Sequence, residues 1–175
     1  MKKIFLILVS SSILLAGCFY VVRYDGGYTG RVIDSDTCEP IEGVVVLGVW
    51  NTIHVSPGGG VSYYYDAREM VTDKNGEFSI PGKGLRVLSR LEPLSVNIFK
   101  AGYQYEGGLW TSFRRDNRIK WEGGKAIIPL KKLTLEERKR GYGPPGPPSE
   151  AQMAKKAQRY MEEINRDRRE RGLKD

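Results

Sequence analysis

Few side chains in this 175-residue chain have the types and spacing that catalysis needs. His54 is the sole histidine, and an acid–base or hydrolytic role for it requires a carboxylate or nucleophile to which the sequence does not point. With one histidine and two cysteines, no His/Cys/Asp set has zinc-site spacing. Asp73, Asn75 and Glu77 are spaced like part of a calcium loop, yet the ligand series stops at Gly76, and a turn accounts for them better. The expectation is therefore no metal and no cofactor, with a hydrolase using His54 as the weakest function class.

Recognition chemistry is better supplied. Tyr63, Tyr64 and Tyr65 follow closely on the glycines at 58–60. Glycine gives the backbone latitude, and tyrosine offers a large contact area with a hydroxyl handle. Further on, Trp110, Phe113 and Trp121 are interleaved with Arg114, Arg115, Arg118 and Lys120. That mixture suits a sugar ring, a phosphate or a peptide edge, and equally a solvated strand connection. The candidate binding residues are Tyr63, Tyr64, Tyr65, Trp110, Arg114, Arg115 and Trp121.

Cys18 is a different kind of reactive position. Lys2 and Lys3 precede an apolar run over residues 4–16, which ends in small Gly17 and the cysteine. This is the three-part grammar of a secretory signal. The run is shorter than the ~20 residues that span a bilayer as a helix. Leu15-Ala16-Gly17-Cys18 resembles the lipobox of bacterial lipoproteins. The resemblance implies cleavage before Cys18 and acyl chains, palmitate among them, on that residue; an ordinary signal peptide with a chance cysteine is the alternative. Each buried methylene contributes about 0.8 kcal/mol, so several chains hold a protein to a membrane where one is marginal. Phe19 stands where an aspartate would resemble an inner-membrane retention signal, so the expected location is the outer membrane, facing the periplasm. Residues 1–17 are read as signal peptide and 18–27 as a membrane-proximal tether. With Cys18 acylated, Cys38 has no partner in the chain and is expected to be buried or paired with another chain.

Charge separates two regions of the mature chain. Residues 18–130 carry 13 basic and 13 acidic side chains, whereas residues 131–175 carry 13 basic and 8 acidic. A basic tail on a tethered protein can meet anionic headgroups, polysaccharide phosphate or an acidic partner. Nucleic acid is not an expected partner of an exported chain.

The elements that position these residues read as all-β. Short runs rich in β-formers, broken by Gly, Pro, Asn and Asp, predict strands at 28–33, 44–50, 68–72, 77–80, 94–100, 109–113 and 125–130. About seven strands in a hundred residues suit a transthyretin-like or immunoglobulin-like β-sandwich over residues 28–133. Residues 51–67 read as a long loop, or as an elongated hairpin tip with its tyrosines lying on the sandwich. Alternation on either side of Asn75-Gly76 predicts a β-hairpin with Val71, Phe78 and Ile80 in the core and Thr72, Glu77 and Ser79 at solvent or an edge. Thr134 with Glu137 fits a capping box, so a short helix should run to Arg140 and stop at Gly141. A Pro/Gly linker completes residues 134–148. Residues 149–175 read as one basic amphipathic C-terminal helix of about twenty residues, on which Met153, Ala157, Tyr160, Met161 and Ile164 recur at helical spacing. Such a narrow stripe can dock on the sandwich, pair with another chain or stay solvated.

Four blocks carry a family resemblance: Gly30-Arg31-Val32-Ile33-Asp34, then Cys38-Glu39-Pro40-Ile41-Glu42-Gly43-Val44-Val45-Val46, then Thr72-Asp73-Lys74-Asn75-Gly76-Glu77-Phe78, then Lys100-Ala101-Gly102-Tyr103. In type and order they resemble the carboxypeptidase regulatory-like domain, over residues 29–104. The resemblance implies a transthyretin-like β-sandwich of accessory, adhesive or assembly use. It does not imply carboxypeptidase activity, whose zinc ligands the chain lacks. Hydroxyisourate hydrolases share the fold, but this chain has neither their several histidines nor their Tyr-Arg-Gly-Ser ending.

The expected function is that of a non-enzymatic, membrane-anchored envelope lipoprotein, a binding or accessory module for a protein or polysaccharide partner, with the tail helix as a second contact. The alternative is a structural subunit of an envelope assembly that uses sandwich edge strands. The oligomeric state is left open.

Overall fold

A computed structural model describes residues 22–87, 89–109, 120–141 and 151–173. Cys18, Trp110, Phe113, Arg114, Arg115, Arg118 and the prolines of the linker lie outside the described residues.

Period-two burial builds the first layer. In β2 (Tyr28–Asp34) every second residue from Gly30 is buried, and in β10 (Lys125–Leu130) Ala126, Ile128 and Leu130 are. Each strand thus turns one face inward. They pair in parallel and form the centre of a sheet of order β5-β2-β10-β9, completed by β5 (Glu77–Ile80) and β9 (Lys120–Glu122). Gly30 sits opposite Phe78, and a Cβ there would stand 2.7 Å from the Phe78 ring, so the aromatic lies directly on glycine backbone.

A second pattern builds the next layer. Residues 44–50 are all buried, which requires cover on both faces. This run enters β3 (Val45–Ser56), inside a sheet of order β4-β3-β7-β8 with β4 (Gly59–Val71), β7 (Ser95–Phe99) and β8 (Glu106–Leu109). The two four-stranded sheets enclose a core that includes Val32, Val46, Trp50, Phe78, Ile80, Leu94, Ile98, Ile128 and Leu130. The opposite face of β3 presents Val45, Leu47 and Val49, covered by the tail. The fold is an all-β sandwich with a C-terminal helical layer on one face.

Several expectations are corrected by this arrangement. Among the described residues ten strands form, where about seven were expected. Of the two readings of residues 51–67 the long loop is corrected and the elongated hairpin holds: β3 and β4 pair antiparallel, with one register shift, to a tip between Ser56 and Gly59. Tyrosine, threonine, valine and isoleucine suit a pleated strand, and the pairing overrides the flanking glycines. Residues 70–80 do not form a hairpin, because β4 and β5 belong to different sheets and the turn at 73–76 is a corner between them. Asp73 holds that corner by accepting the Asn75 and Glu77 amides at its carboxylate. Gly76 has φ +72° there, as the Asn-Gly turn requires.

The corner also redirects side chains. Thr72, expected at solvent or an edge, is buried; its hydroxyl donates to the Ile41 carbonyl and accepts the Val44 amide. Val71 packs on the tail side rather than in the inter-sheet core that holds Phe78 and Ile80. Residues 22–25, placed in the tether, form β1 (Val22–Asp25), paired antiparallel with β6 (Gly84–Val87) in a two-stranded ribbon. β8 covers residues 106–109, and residues 110–113 of the strand expected at 109–113 lie outside the described residues. Of the two expectations for Cys38, burial is corrected: the residue is exposed, at φ +61°.

The tail is two helices in place of one. After α1 (Leu135–Lys139), capped as expected by Thr134 and Glu137, come α2 (Ala151–Lys155) and α3 (Gln158–Glu170). Ala157 breaks the run with φ −125° and ψ 38°. The break drops Ala157 into the apolar layer beside Tyr160 and Ile164. No helix among the described residues is long and apolar enough to cross a membrane.

Candidate functional site

The register decides what the tyrosines do. β7 pairs with β3 only over Val45–Val49, so beyond Trp50 the β3–β4 hairpin runs on past that strand. The segment after β6 supports its base: Ile53 donates to the Arg90 carbonyl and Glu92 to that of Asn51. A bulge between Trp50 and Asn51 leaves Tyr65 opposite no residue. Alternation then splits the three candidates. Tyr64 packs into the layer beneath the tail, whereas Tyr63 and Tyr65 are 53% and 41% exposed.

Tyr65 is held by Arg86, which donates to its hydroxyl at 2.6 Å and lies 5.2 Å from the ring centroid. Tyr63 meets His54 edge to face at 4.9 Å. The hairpin therefore presents two aromatic rings and an imidazole, with the Arg86 guanidinium of β6 beside Tyr65 and exposed Val61 nearer the tip. Such a surface can bind through apolar contact, stacking and hydrogen bonds. His54 contributes an aromatic contact there. Among the described residues no group of three or more His, Cys, Asp or Glu side chains is placed to hold a metal ion.

Trp121, the remaining candidate within the described residues, is half-exposed on β9. It does not join the tyrosines. The corner at 73–76 keeps β5 beside β4, so the strand orders put β4 and β9 at opposite lateral edges of the sandwich.

Polar residues that local patterns did not mark hold the hairpin in place. Asp25, buried at the end of β1, accepts from the Tyr28 hydroxyl at 2.5 Å, Trp50 Nε1 at 2.9 Å and the Lys83 amide at 2.8 Å. Lys83 Nζ lies over the Trp50 ring at 4.3 Å and bonds to Asp66 on β4. Asp66 is shared with Lys156 at the break between α2 and α3. Burial alone would raise the Asp66 carboxyl, but the hydrogen bonds from Lys156 and Lys83, with the Lys83 charge, outweigh it and hold the group at about 2. Apart from the Tyr28–Asp25 bond, these contacts join positions 17 or more apart in sequence, so no short motif announces them.

The tail, expected as a second contact, spends its apolar face on the sandwich. Ala157, Tyr160 and Ile164 pack against Val45, Leu47, Val49 and Phe99, with the Phe99 and Tyr160 rings 6.3 Å apart. Glu163 accepts the Ala101 amide at 3.1 Å, and Arg138 of α1 bonds to Asp167 and Glu170 at 2.8 and 2.7 Å. Burial, then Tyr105, pushes the Tyr160 hydroxyl up, so it stays neutral. Only the outward side of the helices, with Lys155, Arg159, Arg166 and Arg169, remains at the surface.

No family model matches the chain, and no curated protein matches it. Among solved structures it is similar to one titled "Structure of the Streptococcal ancillary pilin", with a TM-score of 0.30 and 10% identity. The similarity covers 63% of this chain and 30% of that one, so the chain spans under a third of the pilin's length.

Proposed function

We propose that this chain is a non-enzymatic lipoprotein of the cell envelope, held at the outer membrane by acyl chains on Cys18, whose sandwich presents the β3–β4 hairpin to a protein or polysaccharide partner. The observation that carries the reading is the pair of exposed rings, Tyr63 and Tyr65, on a hairpin braced by Arg86. Rigid aromatic anchors lose little entropy on binding, and that favours recognition. The four sequence blocks that resemble the carboxypeptidase regulatory-like domain agree with an accessory module, and the position of Cys18 agrees with a lipid anchor.

Two measurements test the two halves of this reading. Metabolic labelling with palmitate should mark the wild-type protein and not Cys18→Ser. Crosslinking in whole cells, together with a glycan-binding screen, should identify a specific protein or polysaccharide that Tyr63→Ser/Tyr65→Ser loses while its melting temperature is kept. Retention of the partner by that variant would remove the hairpin from the site.

A second reading draws on the edge position of β4. An edge strand can add to the sheet of another copy, as in a structural subunit of an envelope assembly. Capture of only the protein itself would favour this reading.

A further inference from the structure

We infer that the outward face of the β1–β6 ribbon is a membrane-contact surface that seats the sandwich against the lipid leaflet holding Cys18. This rests on the lipid-anchor reading above and adds how the anchored domain is oriented.

The register places Tyr24 directly opposite Leu85, and Val22 opposite Val87, so these positions share one face of the ribbon. Tyr24, Leu85 and Val87 are 73%, 66% and 61% exposed. Asp25 and Arg86 alternate to the other face, where they bond to Trp50 and Tyr65. The ribbon is thus fastened to the sandwich on one side and apolar on the other. Single exposed apolar residues are ordinary on a protein surface. Three on one face of one two-stranded ribbon make a patch of the kind that marks a contact site.

Chain length names the occupant. β1 begins four residues past Cys18. Four residues fully extended reach about 14 Å. Acyl chains hold Cys18 at the interface, so β1 starts within that distance of it. An amphipathic ring such as that of Tyr24 suits the headgroup level. A shallow depression lined by Leu85, Val87 and Ser89, with Arg86 at its base, borders the patch.

The test uses the full lipidated protein with Cys38→Ser, reconstituted in phosphatidylethanolamine/phosphatidylglycerol vesicles. A polarity-sensitive fluorophore is attached at Leu85→Cys and, in a second protein, at Ser79→Cys, an exposed position on β5. The Leu85 probe should shift to the blue and be quenched by lipids brominated near the headgroup end of their chains, while the Ser79 probe keeps its emission in water. Flotation with the vesicles reports the anchor separately. A protein that floats with its Leu85 probe in water overturns the orientation and spares the anchor. A protein that does not float removes both. Shielding of the Leu85 probe by a bound protein, without quenching by brominated lipid, also overturns the proposal.

Discussion

Glu69 on β4 caps the helix that contains Tyr160, accepting the Tyr160 amide at 2.9 Å across 91 positions of sequence, and the Arg159 amide at 3.2 Å. Ala157, at the N-cap position, makes no side-chain capping bond. The sandwich therefore supplies the cap that the helix lacks. Glu69→Ala is expected to cost about 1 kcal/mol. Hydrogen exchange in α3 should accelerate more than in β3; unchanged protection of α3 would mean that apolar packing alone holds the tail.

Asp25 ties the ribbon to the core. Asp25→Ala strands Trp50 Nε1 and the Lys83 amide without their acceptor, and a loss of about 3 kcal/mol is expected. Urea unfolding measures it. A loss below about 1 kcal/mol would show that the carboxylate is dispensable to the ribbon.

The ion pairs of Asp66 make stability depend on acid pH. Its folded value, about 2, lies below the ordinary 3.8, so the folded protein takes up this proton less readily than the unfolded chain. The contribution is complete above the unfolded value and is lost as pH falls from about 4 towards 2. Lys156 is half-exposed and screened by solvent, so the amount is on the order of 1 kcal/mol. Between pH 5 and pH 2.5 wild type should lose that much more stability than Asp66→Asn. Glu137, held at about 2 by the Thr134 amide and Lys131, titrates alike in both proteins and cancels. Equal losses would take Asp66 out of the acid response.

Gly76→Ala tests the corner between the sheets. The backbone there has φ +72°, and an added Cβ would stand 2.3 Å from the Val32 carbonyl oxygen. Strain and collision together should cost more than about 2 kcal/mol. A melting temperature within a degree of wild type would mean that the corner relaxes freely.

Much of the sandwich was legible because one-sided burial writes a period of two into a strand. β2, β5, β7 and β10 fall where runs of β-formers bounded by Gly, Pro, Asn and Asp placed them, and Thr134 with Glu137 marked α1. β1 and β6 were not legible, because an outward Tyr24, Leu85 and Val87 opposite a buried Asp25 invert the usual pattern. The tyrosine triplet marked a surface, but only pairing with β3 shows that Tyr64 turns inward while Tyr63 and Tyr65 remain outside.

Sequence alone determined the strand-forming alternation, the helix start at Thr134 and the glycine at the Asp73–Gly76 turn, since each depends on a residue and its near neighbours. Tertiary structure decided that this turn joins two sheets, that residues 51–67 pair as a hairpin, and that the tail breaks at Ala157 to dock. Those outcomes depend on partners many positions away. A side chain such as Glu69, able to serve as a strand residue or a helix cap, takes its role from what folding brings within hydrogen-bond reach.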